Sequence, residues 1–231
     1  MLVVNVTIDI VVDRTLYSSF DASASMRFGS LDWSKHDYAT WTAAALAYLL
    51  SLQTDNFALA ITHGAEITQW MPPRRGDANR AALTEVLEQE EAYGDGDPGE
   101  GLEAAASRME RRGLVVWISD CLGEPDAAVR AASRLRHAGH DLITLRILDP
   151  AEIDFPYGRH TRFDALEGVD HLLLEPRAVR DAYLAEFEEH GKAAVQPALD
   201  YYTRRFNMVG GNMYDLKRAF RAAKVFDPFV L

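Results

Sequence analysis

Short apolar runs of strand length alternate along this chain with longer segments of helical periodicity, and this alternation restricts the fold more than any other feature. The strand-like runs are residues 2–12, 15–20, 56–62, 66–70, 114–119 and 141–147. Helical candidates lie at 36–53, 78–91, 100–112, 124–138, 176–205 and 213–224. Strands separated by helices of this length imply βαβ units, hence an α/β fold with a mostly parallel sheet and right-handed crossovers. The run Asp126-Ala127-Ala128-Val129 ahead of Leu135 has the spacing of a sheet-covering helix, and Gly139 stops it. Residues 150–175 differ. Pro150, Pro156 and the short apolar pieces Thr161-Arg162-Phe163 and His171-Leu172-Leu173-Leu174 predict a small hairpin.

With 231 residues, 48% of them hydrophobic, the chain can fill one core. Its net charge of −11 disfavours binding to nucleic acid or an anionic membrane, which needs clustered Lys and Arg. The acidity is concentrated between Glu85 and Glu103. A single cysteine, Cys121, excludes an intrachain disulfide framework and a multi-cysteine zinc site, which fits a reducing cytoplasm. The apolar start, Met1 to Val12, is too short to span a bilayer and lacks the pattern of a signal peptide. Alternation through Val4, Val6, Ile8 and Ile10 fits a strand better.

Directly after the run at 15–20 comes Asp21-Ala22-Ser23-Ala24-Ser25. One carboxylate and two hydroxyls at alternate positions form a compact all-oxygen cluster, the donor chemistry of hard cations such as Mg²⁺. The run Leu114-Val115-Val116-Trp117-Ile118 ends in Ser119-Asp120. If the two strands are neighbours, Asp120 falls beside Asp21 at the carboxyl ends of a parallel sheet, where open α/β sheets bind ligands. Each residue also has a plain reading. Asp and Ser end strands by hydrogen-bonding their own backbone, and Asp120 would cap the next helix.

Other patterns carry less. Gly94-Asp95-Gly96-Asp97-Pro98-Gly99 satisfies the dinucleotide-loop spacing, but it follows an acidic helix and its two Asp would repel phosphate. It reads as an acidic surface loop. The seven His are scattered and none forms the helical pair of a zinc protease. Cys121 has no His beside it in any legible pattern and reads as a bystander thiol. Tyr183, Phe187, Tyr201, Tyr202 and Phe206 read as packing aromatics.

The Asp21-Ala22-Ser23-Ala24-Ser25-Met26 stretch matches the D-x-S-x-S signature of the metal-ion-dependent adhesion site of von Willebrand factor A domains. More closely, the chain resembles the bacterial domain-of-unknown-function family 58, which has that fold. The matching pieces include Phe28-Gly29-Ser30, Lys35-His36-Asp37-Tyr38-Ala39, Pro72-Pro73-Arg74-Arg75-Gly76, Gly113-Leu114-Val115-Val116 with Ser119-Asp120, and Leu148-Asp149-Pro150-Ala151-Glu152 before Phe155-Pro156. In order and spacing they cover about residues 15–190. The resemblance implies a doubly wound, Rossmann-type sheet with a divalent cation above its switch point. It places a von Willebrand factor A-like domain at 13–175, with a helical C-terminal part, 176–231, packed on it.

The resemblance also implies a ligand set: Asp21, Ser23 and Ser25 as the first ligand loop, and Asp120 as a later carboxylate acting through water. The Thr that usually completes the set is absent. The corresponding stretch reads Gly99-Glu100-Gly101-Leu102, so Glu100 stands where Thr is expected and becomes a candidate metal ligand. The upstream G-D-x-x-R-x-I-D-W-like motif of relatives has no counterpart before Asp21.

The leading expectation is a cytoplasmic, non-enzymatic protein-interaction module. It would hold Mg²⁺, or Mn²⁺ or Ca²⁺, and leave one coordination position for a partner's carboxylate. By resemblance, an AAA-type ATPase of the MoxR kind is the candidate partner, with an assembly or chaperone role. The alternatives are a structural scaffold with a vestigial metal site and a metal-dependent hydrolase with Glu100 as base.

Overall fold

The computed structural model describes residues 15–158, 161–166 and 171–208, and in the last helix the side chains as far as residue 193. The strand expected at 2–12 and the helix expected at 213–224 lie outside these residues.

A five-stranded sheet forms the centre. In chain order its strands are β1 (Thr15–Asp21), β2 (Phe57–His63), β3 (Glu66–Arg74), β4 (Gly113–Ser119) and β5 (Asp141–Arg146). Their spatial order is β3-β2-β1-β4-β5. All neighbours are parallel except β2 and β3, which form an antiparallel edge hairpin. The expected mostly parallel sheet is therefore present.

β1 and β2 are buried at every position. Successive side chains of a strand point to opposite faces, so alternate residues feed two separate cores. Leu16, Phe20, Leu59, Ile61, Val116 and Ile118 enter one. Tyr17, Ala58, Ala60, Val115 and Trp117 enter the other. Each large side chain fully buried in this way contributes about 1.5–3 kcal/mol.

Helix α1 (Lys35–Gln53) and helix α2 (Asp77–Gln89) cover the first core, through Ala39, Ala43, Ala47 and Leu50 and through Leu83 and Leu87. Ser34 caps α1 in a reciprocal capping box with Asp37. The outer face of α1 is also apolar, with Tyr38, Trp41, Tyr48, Leu49 and Leu52 exposed. Helices α3 (Pro98–Ser107) and α4 (Pro125–His137) cover the second core through Leu102, Ala105, Ala128, Ala131 and Leu135. Both begin with Pro at the first helical position, where its missing N–H costs nothing. The α3 helix ends at Ser107, short of the predicted 112. Residues 108–112 form the turn into β4 instead.

Between β5 and the hairpin lies a five-residue helix, α5 (Pro150–Asp154), that periodicity did not reveal. Its signal is in its caps: Asp149 and Glu152 form a capping box around Pro150. The predicted hairpin follows as the antiparallel pair β6 (Thr161–Asp164) and β7 (His171–Leu174). The last described helix, α6 (Pro176–Met208), lies beside β5 and α4. Its Phe187 ring sits 5.0 Å from the Arg146 guanidinium, and its Tyr183 hydroxyl donates to the Glu152 carbonyl. The described aromatics of α6, Tyr183 and Phe187, stack on one another, as a packing role requires.

Candidate functional site

From β1 the chain crosses through α1 to β2 on one side, and later returns to β4 on the other. The carboxyl ends of β1 and β4 thus flank the point where the winding reverses, the crevice in which α/β sheets place ligands. Asp21 ends β1 and Asp120 follows β4, so the expected adjacency is real.

Asp21 is fully buried. Its Oδ1 accepts from the Ser23 amide at 3.0 Å and its Oδ2 from the Ser119 hydroxyl at 2.7 Å. Burial, and next the charge of Asp120, push its pKa up to about 6. Ser23 and Ser25 present their hydroxyls 3.2 Å apart, just before and within a 3₁₀ turn at Ala24–Arg27. The loop is fastened on both sides: Ala22 N–H donates to the Thr62 carbonyl, and Ala24 N–H to the Gly94 carbonyl.

Asp120 is buried, and both of its carboxylate oxygens are hydrogen-bonded. Its Oδ1 accepts from the Leu122 amide at 3.0 Å. Its Oδ2 accepts from the Lys35 ammonium at 2.8 Å. The same ammonium donates to Glu152 Oε1 at 2.6 Å. Burial would depress the Lys35 pKa, but Asp120 and Glu152 overcome it and hold the group above its ordinary value. Glu152 Oε2 caps the Asp149 amide at 2.8 Å, and Asp149 in turn accepts from the Ser30 amide and hydroxyl. Three stretches distant in sequence, Ser30–Lys35, Asp120 and Asp149–Glu152, therefore converge in one network beside Asp21. Sequence reasoning missed Lys35, Ser119 and Glu152 as site residues. Their only signal was that they stand within the motif pieces of the resemblance.

Cys121, next to Asp120, has a left-handed backbone with φ of 57°. A non-glycine residue held there is strained, a feature that clusters at functional turns. Its amide donates to the Ser119 hydroxyl at 2.9 Å, so Ser119 joins this turn to Asp21. Burial, with Asp120 beside it, pushes the thiol far up, so it stays protonated.

Glu100 is exposed in the first turn of α3, between the buried Gly99 and Gly101. No hydrogen bond or ion pair among the described residues joins its carboxylate to Asp21, Ser23, Ser25 or Asp120. The helix beneath it is held close. A Cβ on Gly101 would come within 2.6 Å of the Gly64 carbonyl and 2.7 Å of Thr62 Oγ1. A Cβ on Gly99 would meet the Ala128 amide at 2.5 Å. These two glycines bring α3 against the ends of β2 and α4.

The donors suit a hard divalent cation. Ligand oxygens at adjacent positions of an octahedral Mg²⁺ stand about 3 Å apart, close to the spacing of the two serine hydroxyls. Asp21 is a buried carboxylate whose hydrogen bonds leave lone pairs free and whose charge no ion pair among the described residues balances. Asp120 already has a cation, Lys35. Among the described residues, no group of three or more His, Cys, Asp or Glu is arranged to hold a metal, so the hydroxyls are essential to any such site.

The model of the protein family of unknown function DUF58 matches residues 10–193, most of the chain. This chain belongs to that family. Among curated relatives, the uncharacterized protein Rv1480 of Mycobacterium tuberculosis is 30% identical over 186 residues, which are 78% of this chain and 58% of that one. The chain thus spans less than two thirds of the length of the curated relatives it matches. Two solved structures share its fold. An aerotolerance-related membrane protein from Bacteroides fragilis overlaps with a TM-score of 0.53 at 16% identity, covering 78% of this chain and 89% of that one. The conserved hypothetical protein BatB from Bacteroides thetaiotaomicron overlaps with a TM-score of 0.50 at 14% identity, covering 77% and 87%. The DUF58 domain here has the von Willebrand factor A-like fold, as its motif pieces led us to expect.

Proposed function

We propose that this DUF58 domain is a protein-interaction module whose point of contact is a divalent cation. Asp21, Ser23 and Ser25 hold the cation, Asp120 supports it through water, and Glu100 stands on the rim as a further carboxylate. Mg²⁺ is the cation we favour, with Mn²⁺ and Ca²⁺ as the other hard-ion choices. The open position takes an Asp or Glu of the partner, because two acidic surfaces repel unless a cation bridges them.

One observation carries this reading. The buried Asp21 carboxylate and the paired Ser23 and Ser25 hydroxyls sit together at the switch point, and among the described residues no ion pair neutralises Asp21. A non-enzymatic role is favoured because the one thiol beside Asp120 is held protonated and, among the described residues, no His is hydrogen-bonded to Asp21. The AAA-type ATPase of the MoxR kind is the partner class carried over from the resemblance, together with a cytoplasmic setting. Among the described residues, no helix is long and apolar enough to cross a membrane.

Calorimetric titration of Mg²⁺ and Mn²⁺ into metal-stripped protein, with Asp21→Ala alongside, tests the reading. Saturable binding that Asp21→Ala abolishes is expected, together with partner capture that chelation reverses. Capture that survives full chelation would overturn it.

A second reading has its own support. The Lys35 ammonium already neutralises Asp120, as a scaffold with a vestigial site would require. That reading predicts equal metal titrations, both flat, for wild type and Asp21→Ala.

A further inference from the structure

Lys35 is placed where a cation is least welcome. It is the first residue of α1, and a helix N-terminus disfavours positive charge. Its side chain is only 2% exposed, which adds a desolvation penalty. Two carboxylates hold it there, Asp120 at 2.8 Å and Glu152 at 2.6 Å. The Phe28 ring closes over it with its centroid 5.8 Å from Nζ. Glu152 is itself fixed by the α5 capping box, and Asp149 of that box grips Ser30, in the segment that runs into α1. Every element of this network is tied down, so the ammonium cannot swing away to solvent.

We propose that Lys35 is a tethered counter-cation that withholds Asp120 from the divalent ion, leaving Asp21 as the ion's one direct carboxylate. This rests on the metal-site reading above. A cation held by one carboxylate and two hydroxyls keeps more of its positive charge than one held by two carboxylates. It therefore attracts a partner carboxylate more strongly and is itself held less tightly until the partner arrives. Lys35 sets that balance without touching the ion. Glu152 tunes it by taking a share of the ammonium.

The test compares Mg²⁺ and Mn²⁺ titrations and thermal melts, with chelator and with metal, for wild type, Lys35→Met, Glu152→Gln, Asp120→Asn and the Lys35→Met/Asp120→Asn double variant. Lys35→Met unfolds at lower temperature in chelator, because it leaves the buried Asp120 and the partly buried Glu152 without their cation. It should bind metal about tenfold more tightly than wild type and recover much of its melting temperature when metal is added. The gain should vanish in the double variant, since it comes from the released Asp120. Glu152→Gln should bind metal more weakly than wild type. It keeps Lys35 in place, so it stands as an arm of its own if Lys35→Met fails to fold.

A merely structural role would loosen the site in both single variants and weaken both. Metal binding by Lys35→Met that is no tighter than wild type overturns the proposal. So does Glu152→Gln binding as tightly as wild type. Binding in wild type that Asp21→Ala abolishes, with no gain in Lys35→Met, would reject the Lys35 role and keep the metal site. Flat titrations throughout would reject both.

Discussion

The Ser119 hydroxyl donates to Asp21 Oδ2 at 2.7 Å across 98 residues of chain, and Ser119 Oγ itself accepts from the Cys121 amide. One buried side chain thereby joins the carboxyl ends of β1 and β4 and fixes the strained turn that carries Asp120. Ser119→Ala would leave a buried amide and a buried carboxylate oxygen each short of a partner. We expect a loss of about 2–6 kcal/mol, since each of the two unsatisfied buried groups costs about 1–3 kcal/mol. Urea unfolding of the two proteins measures it. A loss below about 0.5 kcal/mol, the scale of an ordinary surface substitution, would mean the bond contributes little.

Asp21 makes the metal-free protein sensitive to pH. Its folded pKa is raised to about 6, above an unfolded value of about 4. The folded state therefore prefers the proton. The stability this provides is fully present below about pH 4 and is lost as pH rises through about 6. Asp21→Asn removes the term. The stability difference between Asp21→Asn and metal-stripped wild type should grow in the variant's favour between pH 4.5 and 7, by of order 2 kcal/mol. Urea midpoints at several pH values report it, and a difference independent of pH would contradict the buried-carboxylate account.

Gly101 sets the approach of α3 to the sheet. A Cβ there would meet the Gly64 carbonyl, a backbone atom that cannot turn aside. Gly101→Ala should destabilise the fold by about 1–3 kcal/mol, the range for overpacking, although alanine favours a helix. Thermal melting decides it, and an unchanged or raised melting temperature would show that α3 can retreat without loss.

Cys121 should resist thiol reagents in the native protein and react fully once unfolded. It is 2% exposed and burial pushes its thiol up, so little thiolate reaches solvent. Native labelling at the rate of the unfolded chain would show that the Asp120 turn opens readily.

Much of the architecture is legible in the sequence. The runs at 15–20, 56–62, 114–119 and 141–147 became the four parallel strands, because strand length and apolar burial are written locally. Asp21 and Asp120 were legible as neighbours because parallel strands bring their carboxyl ends to one edge. The α5 helix escaped because five residues show no period, although the pair Asp149 and Glu152 is a cap signature. Lys35 escaped for a different reason. A lysine at the start of a helix reads as solvated, and only the partners that surround it make it a buried cation.

The chain's own pattern of apolar residues determined the α/β layers, the order of elements and the oxygen-rich loop after the first strand, since each depends on residues near in sequence. Tertiary structure alone decided that Lys35 would meet Asp120 and Glu152, that Ser119 would hold Asp21, and that Glu100 would be exposed. Those outcomes depend on distances between residues far apart in the chain, and such distances exist only once the sheet has folded and the helices have closed over it.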